Sequence, residues 1–178
     1  MNLLENYYKK IIRYDLINRF FYTHLNDIPK LKKIILNFGC KSFEMKNIVA
    51  SLLALELVTG KQASVTKSKR ANILLKIRKG HPVGCMVVLT KSEMYVFFSK
   101  LLIEVFPNLR DFKGLSILKK KETKSFSLTL MDLITFKELE KQFYLFTNLP
   151  PLNIVLVTNT KTRKELMYLL NSFKLPFV

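Results

Sequence analysis

The chain has 178 residues and carries 30 Lys and Arg against 13 Asp and Glu, a formal net charge of +17. With 49% hydrophobic residues and a mean hydropathy of +0.13 it has ample side chain for a packed core, which excludes a mainly disordered polypeptide. Self-repulsion on this scale does nothing for an isolated domain and points to a polyanionic partner, nucleic acid or an anionic membrane surface.

In chain order, residues 3–20 place Leu4, Tyr7, Tyr8, Ile11, Ile12, Leu16 and Phe20 at helical spacing, with Lys9, Lys10 and Arg13 off that face. Asp27-Ile28-Pro29 breaks the chain, because proline disfavours helix at the residue before it. "KLKKIILNF" (30–38) reads as a strand, and "MKNIVASLLALELV" (45–58) as a helix stopped by Gly60. Three strand-like runs follow at 63–66, 72–79 and 85–90. Ser92 is placed to cap a helix through Phe106, which Pro107 ends. After a polar loop (108–116), strands are expected at 124–133 and 152–158. Thr162 and Glu165 have the spacing of a capping box that opens a last helix to Phe173. Strands run consecutively too often for a doubly wound parallel sheet. The expected fold is α+β: one domain over residues 1–178, a mostly antiparallel sheet with helices packed on one face, and a projecting basic loop over 65–84.

Little in the chain recommends catalysis. The longest uncharged run, Gln142 to Thr160, approaches the length of a spanning helix, but Pro150-Pro151 and three asparagines interrupt it, so no membrane insertion is expected. The N-terminus holds Glu5 and Asp15 and lacks the apolar core of a secretory signal, and its acidic residues and lack of Ser argue against an import peptide. Cys40 and Cys85 form no ligand motif and read as free, buried thiols. Neither His24 nor His81 has metal-ligand spacing, "TGKQ" lacks most of a phosphate-cradling loop, and the carboxylates are scattered apart from Glu138 and Glu140. No catalytic residue, metal or cofactor is expected.

The charge is concentrated. Between Glu56 and Glu93 there is no carboxylate, while Lys61, Lys67, Lys69, Arg70, Lys76, Arg78, Lys79 and Lys91 lie inside that window. If 72–79 is extended, Lys76 and Arg78 share one face and Ile73, Leu75 and Ile77 the other, giving a ribbon with a charged end on a buried base. A solvated edge kept from aggregating by lysines is the plainer reading; eight cations without one carboxylate favour contact with a phosphate backbone. Neutralising about five phosphates would give a salt dependence with a log–log slope of roughly −3.5 to −4.5.

"LKKIILNFG", "LELVTGKQASVTKSKR", "IRKGHPVGCMVVL", "MYVFFSKLL" and "LRDFKGLS", with "NYYKK" before them and "LNIVLVTNTKTRKE" and "LLNSFKLPF" after, occur in one order across nearly the whole chain. In these motifs it resembles the bacterial-type ribosomal protein L-five family, large-subunit proteins that bind 5S rRNA. The resemblance implies a non-enzymatic α+β protein of the central protuberance. Its partners would be 5S rRNA, large-subunit rRNA, P-site tRNA, neighbouring central-protuberance proteins and a small-subunit head protein across a bridge. The tRNA-facing loop maps onto 67–84, with Lys69, Arg70, Lys76, Arg78, Lys79 and His81 as phosphate contacts. Asn37, Thr66 and Lys67 match the family's 5S rRNA-binding pattern, and Lys9, Lys10, Lys30, Lys61 and Gln62 are added as candidates. The bridge maps onto Arg110, Asp111 and Lys113.

The chain also departs from the family pattern. Gly60-Lys61-Gln62-Ala63 stands where Gly-Gln-Lys-Pro is usual, Val88 and Thr90 replace a Thr and an Arg, and a Gly-rich segment becomes "ILKKKETKS". "FKELEKQFYLFTNLPP" also differs in composition. These departures, with 24 Lys to 6 Arg, no Trp and a general preference for residues with AT-rich codons, favour a mitochondrial member, bound to ribosomes in the matrix, over a plastid or bacterial cytoplasmic one. The alternative functions are a generic RNA-binding protein, an RNA-processing enzyme on a basic scaffold, and a peripheral membrane protein.

Overall fold

The computed structural model describes residues 3–40, 45–110, 112–115 and 123–177. It opens with a helix, α1, that runs through Leu3–Tyr7, Tyr8–Ile12 and Arg13–Arg19, the middle segment in the wider π-type turn. Tyr8, Ile12 and Leu16, four residues apart, are its buried stripe. There follow β1 (Leu31–Gly39), α2 (Met45–Thr59), β2 (Ser64–Lys67) and β3 (Pro82–Thr90). A long helix, α3, runs through Lys91–Lys100, a π-type segment Leu101–Val105, and Phe106–Asn108. The rest comprises β4 (Ser125–Leu130), the short α4 (Lys137–Glu140), β5 (Leu152–Thr158) and α5 (Arg163–Ser172). The strands form one five-stranded antiparallel sheet in the order β2-β3-β1-β5-β4, and the fold is α+β as the consecutive strands predicted.

Two compact units are present, each assembled from separate stretches of chain: Met1–Ile34, Leu89–Leu128 and Val155–Val178 in the first, Ile35–Val88 and Thr129–Ile154 in the second. The first is knitted by aromatic side chains. The Tyr8 hydroxyl donates to the Pro29 carbonyl at 2.8 Å while its ring stacks on Phe173 with centroids 6.1 Å apart. Burial there pushes the Tyr8 pKa up. Phe98 meets Phe173 edge-on at 5.4 Å, the geometry the ring quadrupoles favour. In the second unit Ile48, Ser51, Ala54, Leu55 and Val58 are the buried side of α2.

Along the strands burial alternates. Ile34, Leu36 and Phe38 of β1, Cys85, Val87 and Leu89 of β3, and Ile154 and Leu156 of β5 are buried. Their neighbours Ile35, Asn37, Met86, Val88, Val155 and Val157 are only half covered. This period of two is the signature of strands with one closed and one more open side.

Most predicted elements are found within a few residues of their expected ends. Gly60, at φ +66°, closes α2 with its N–H on the Glu56 carbonyl, as a C-terminal glycine should. The capping box of α5 is complete: Glu165 N donates to Thr162 Oγ1 and Thr162 N to a Glu165 carboxylate oxygen, each at 3.3 Å.

Three expectations are corrected. Residues 72–79 are not a strand but a tight turn, closed by a bridge between Asn72 and Ile77. The Asn72 side chain accepts from Leu74 N and Leu75 N, the local hydrogen bonding by which Asn competes with extended structure. Ser92 does not cap α3: the position before the helix is Thr90, in extended backbone, and Ser92 lies within the first turn. Pro107 does not prevent continuation, for the helix runs through it to Asn108. The π-type segment immediately before it shifts the hydrogen-bond register, which accommodates a residue without an N–H.

Candidate nucleic-acid interface

β2 leads out into the basic loop and β3 returns from it, paired antiparallel with Ser64 opposite Met86, Val65 opposite Cys85 and Thr66 opposite Gly84. The pairing shifts register between Thr66 and Lys67, where the loop leaves the sheet. At its neck Ser68 N donates to the His81 carbonyl at 2.8 Å and Gly80 N to the Ser68 carbonyl at 2.9 Å. Farther out, Asn72 and Ile77 exchange backbone hydrogen bonds of 2.8 and 3.0 Å. Lys76 closes this turn at φ +52°, a left-handed conformation uncommon for a residue with a Cβ. The loop is thus shaped by backbone bonds, and its cationic side chains are spared from holding it.

Lys67, Lys69, Arg70, Lys76, Arg78 and Lys79 are all exposed, and His81 is half-buried at the neck. The sorting into a cationic and an apolar face, which an extended strand would impose, does not occur. Of the apolar residues only Ile77 is buried, while Ile73 and Leu74 at the tip are 93% and 94% exposed. The loop therefore presents cations around an apolar end, a combination that suits phosphates beside an exposed base surface.

On the sheet, Asn37 of β1 and Thr66 of β2 both stand on the half-covered parity, with β3 between their strands. Gly84 lies at the crossing. A Cβ there would sit 2.2 Å from the Phe38 carbonyl oxygen and 3.1 Å from Thr66 Oγ1, so only glycine lets these three strands approach so closely. Lys67, exposed, ends β2 beside this crossing; Gln62 is exposed and Lys61 half-buried in the connection after α2.

The remaining candidates belong to the first unit. The Lys30 backbone is clamped by Asn159, whose Oδ1 accepts from Lys30 N at 3.1 Å and whose N donates to the Lys30 carbonyl at 3.2 Å, leaving the exposed side chain to reach outward. Lys10 is exposed on α1. Lys9 is paired with Glu5 at 2.6 Å, which reduces its value as an anion contact. Arg110 and Lys113 are exposed, and Phe106 stacks on Phe112 with ring centroids 5.3 Å apart; Asp111 lies outside the described residues. The candidates thus fall into two sets: loop and sheet residues in the second unit, and Lys9, Lys10, Lys30, Arg110 and Lys113 in the first.

Sequence reasoning missed two features: the role of Gly84, signalled by a glycine inside a strand pattern, and the apolar tip, signalled by Asn72 before an uncharged run. Among the described residues no group of three or more His, Cys, Asp or Glu is arranged to hold a metal ion, and no helix is long and apolar enough to cross a membrane.

The profile of the C-terminal region of the ribosomal L5 family matches residues 82–177. The large ribosomal subunit protein uL5m of Reclinomonas americana is 42% identical over 178 residues, covering 99% of this chain and 98% of that protein. The large ribosomal subunit proteins uL5 of Wigglesworthia glossinidia brevipalpis and Desulforapulum autotrophicum are each 35% identical, over 98% and 99% of the chain and 98% and 99% of their own lengths.

Proposed function

The chain belongs to the L5 family of large-ribosomal-subunit proteins, and from that premise we propose that it binds 5S rRNA through its open sheet side and P-site tRNA through its basic loop. It is a structural ribosomal protein and not an enzyme, with ribosomal RNA and ribosomal proteins as partners. Thr66, whose hydroxyl stands beside Gly84, and Asn37 and Lys67 are the 5S rRNA contacts, with Lys61 and Gln62 in the connection after α2 and Lys10 and Lys30 as backbone contacts; Lys9 contributes less because Glu5 neutralises it. Lys69, Arg70, Lys76, Arg78, Lys79 and His81 meet the tRNA. Arg110 and Lys113 face the small-subunit head protein. The ribosome is a mitochondrial one, a reading supported by the 42% identity to a uL5m.

The observation that carries the RNA reading is the carboxylate-free loop, whose six cations are all exposed while backbone bonds and the Asn72 and Ser68 side chains shape it. The test is filter binding of the purified chain to its cognate 5S rRNA and to control RNAs of equal length. Selective 5S binding that survives replacement of the loop cations by Ala, and is weakened by Asn37→Ala, is expected. Equal binding to every RNA, abolished by the loop substitutions, would sink the assignment.

A further inference from the structure

We propose that Asn153 of β5, held by Thr129 of β4, is a further RNA contact on the open side of the sheet, one that reads ribose 2′-hydroxyls and not phosphates. Leu152, Ile154 and Leu156 are buried, so Asn153 stands on the opposite, open parity of β5; buried Leu128 and Leu130 place Thr129 likewise on β4. Both residues are exposed. The Thr129 hydroxyl donates to Asn153 Oδ1 at 2.9 Å across the two strands. That bond fixes which way the amide lies. Its oxygen faces β4, and its NH2 group, with two protons to donate, is turned away from Thr129. β5 is the neighbour of β1 in the sheet, and Asn37 stands on the open side of β1. Thr66, Asn37, Asn153 and Thr129, all in the second unit, thus give four of the five strands an uncharged hydrogen-bonding side chain on that side.

The chemistry of this row selects its occupant. Lys32, Lys33 and Lys67 are the only charged residues in the five strands, and no strand holds a carboxylate; Asp132, Glu138 and Glu140 lie in the segment between β4 and β5. A polyanion can therefore lie along the sheet without meeting a like charge from any strand. Threonine hydroxyls and asparagine amides both donate and accept, as the ribose 2′-hydroxyl does. Phosphate oxygens only accept, and lysine and arginine serve them better. In an A-form helix the 2′-hydroxyls line a wide, shallow minor groove, open to a sheet surface. A second copy would set one lysine-bearing sheet against another with no carboxylate between them. The proposal rests on the reading that this side of the sheet binds 5S rRNA, and adds β5 and β4 to the strands that do so.

The test is filter binding of the full chain to its cognate 5S rRNA, combined with interference mapping by 2′-deoxy substitution along the RNA; thermal melting of each variant checks that it is folded. Asn153→Ala should weaken 5S binding about tenfold with the salt slope unchanged, since no charge is lost. It should also erase the 2′-deoxy interference at one or more nucleotides where wild type and Asn37→Ala both show it. Thr129→Val keeps the side-chain shape but frees the amide to turn. It should weaken binding less and blunt the interference at the same nucleotides, while Thr129→Ser keeps both at wild-type values; a merely structural role would not single out those nucleotides. Unchanged affinity of folded Asn153→Ala, a changed salt slope, or an interference pattern identical to wild type overturns the proposal. Weaker binding by Asn37→Ala with none by Asn153→Ala overturns it alone and leaves the 5S reading standing. A wild-type chain with no preference for 5S rRNA over control RNAs of equal length refutes both.

Discussion

Replacing Lys69, Arg70, Lys76, Arg78 and Lys79 together by Ala should change how tRNA binding responds to salt while leaving the fold intact. All five side chains are exposed, and the loop is closed by bonds among the backbone groups of Ser68, Asn72, Ile77, Gly80 and His81. Exposed substitutions away from structural features cost within about 0.5 kcal/mol each, so the loop should keep its shape. If each cation neutralises one phosphate, the slope of log affinity against log salt is about −0.7 to −0.9 per contact, or roughly −3.5 to −4.5 for five. Over a fourfold rise in salt, from about 50 to about 200 mM, these contacts account for an affinity loss of about 100- to 500-fold. Fluorescence anisotropy of labelled tRNA at four salt concentrations should show the variant's slope flatter by that amount. The slope for 5S rRNA, for which the sheet is the proposed site, should stay where it is. Equal tRNA slopes for wild type and variant would refute the assignment of the loop. A matching fall in the 5S slope would mean that the loop grips any polyanion.

Gly84→Ala would put a methyl carbon 2.2 Å from the Phe38 carbonyl oxygen, forcing β1 and β3 apart; a cost of about 1–3 kcal/mol is expected in urea unfolding, and an unshifted midpoint would count against the close approach. Tyr8→Phe leaves the Pro29 carbonyl without its buried donor and should cost about 1–2 kcal/mol by the same measurement. The Cys85 thiol is pushed up to about 11, first by burial and then by nearby Cys40, so at pH 8 its thiolate fraction is on the order of 0.001. Ellman's reagent should therefore modify half-buried Cys40 first, and Cys85 only on unfolding. The Asp27 carboxyl is held below its ordinary pKa chiefly by a hydrogen bond from Lys161, 2.9 Å away. A depressed folded pKa stabilises above the unfolded value, about 3.9, and that contribution is lost as pH falls through the folded one. The difference in melting temperature between wild type and Asp27→Asn should be constant above about pH 5 and shrink in acid; a gap indifferent to pH would remove the ion pair from the account.

What could be read from the sequence was whatever depends on neighbours along the chain. The Thr162–Glu165 box, Gly60 after the helix and the β-branched, apolar run 152–158 each specify a structure through groups within a few residues, and each was found. The run 72–79 has the composition of a strand, yet a strand also needs a partner, and within reach the Asn72 side chain supplies a cheaper arrangement. Pro107 is likewise a stop only in a regular helix, and the π-type turn before it changes the register. In the candidate site the cations were legible because charge is additive and visible. The crossing at Gly84 was not, because its partner is a carbonyl on a strand far away in sequence.

The exposed tip and the unbalanced charge of the loop are two costs that one event relieves. Six cations within one short loop repel each other over distances comparable to the Debye length of about 8 Å, and no carboxylate between Glu56 and Glu93 offsets them. Ile73 and Leu74 stay almost wholly in water, and Lys76 holds a left-handed backbone conformation. Salt would relieve the repulsion and leave the apolar tip wet; an apolar partner would cover the tip and leave the repulsion. A nucleic acid offers phosphates and a flat base surface together, so one partner relieves both.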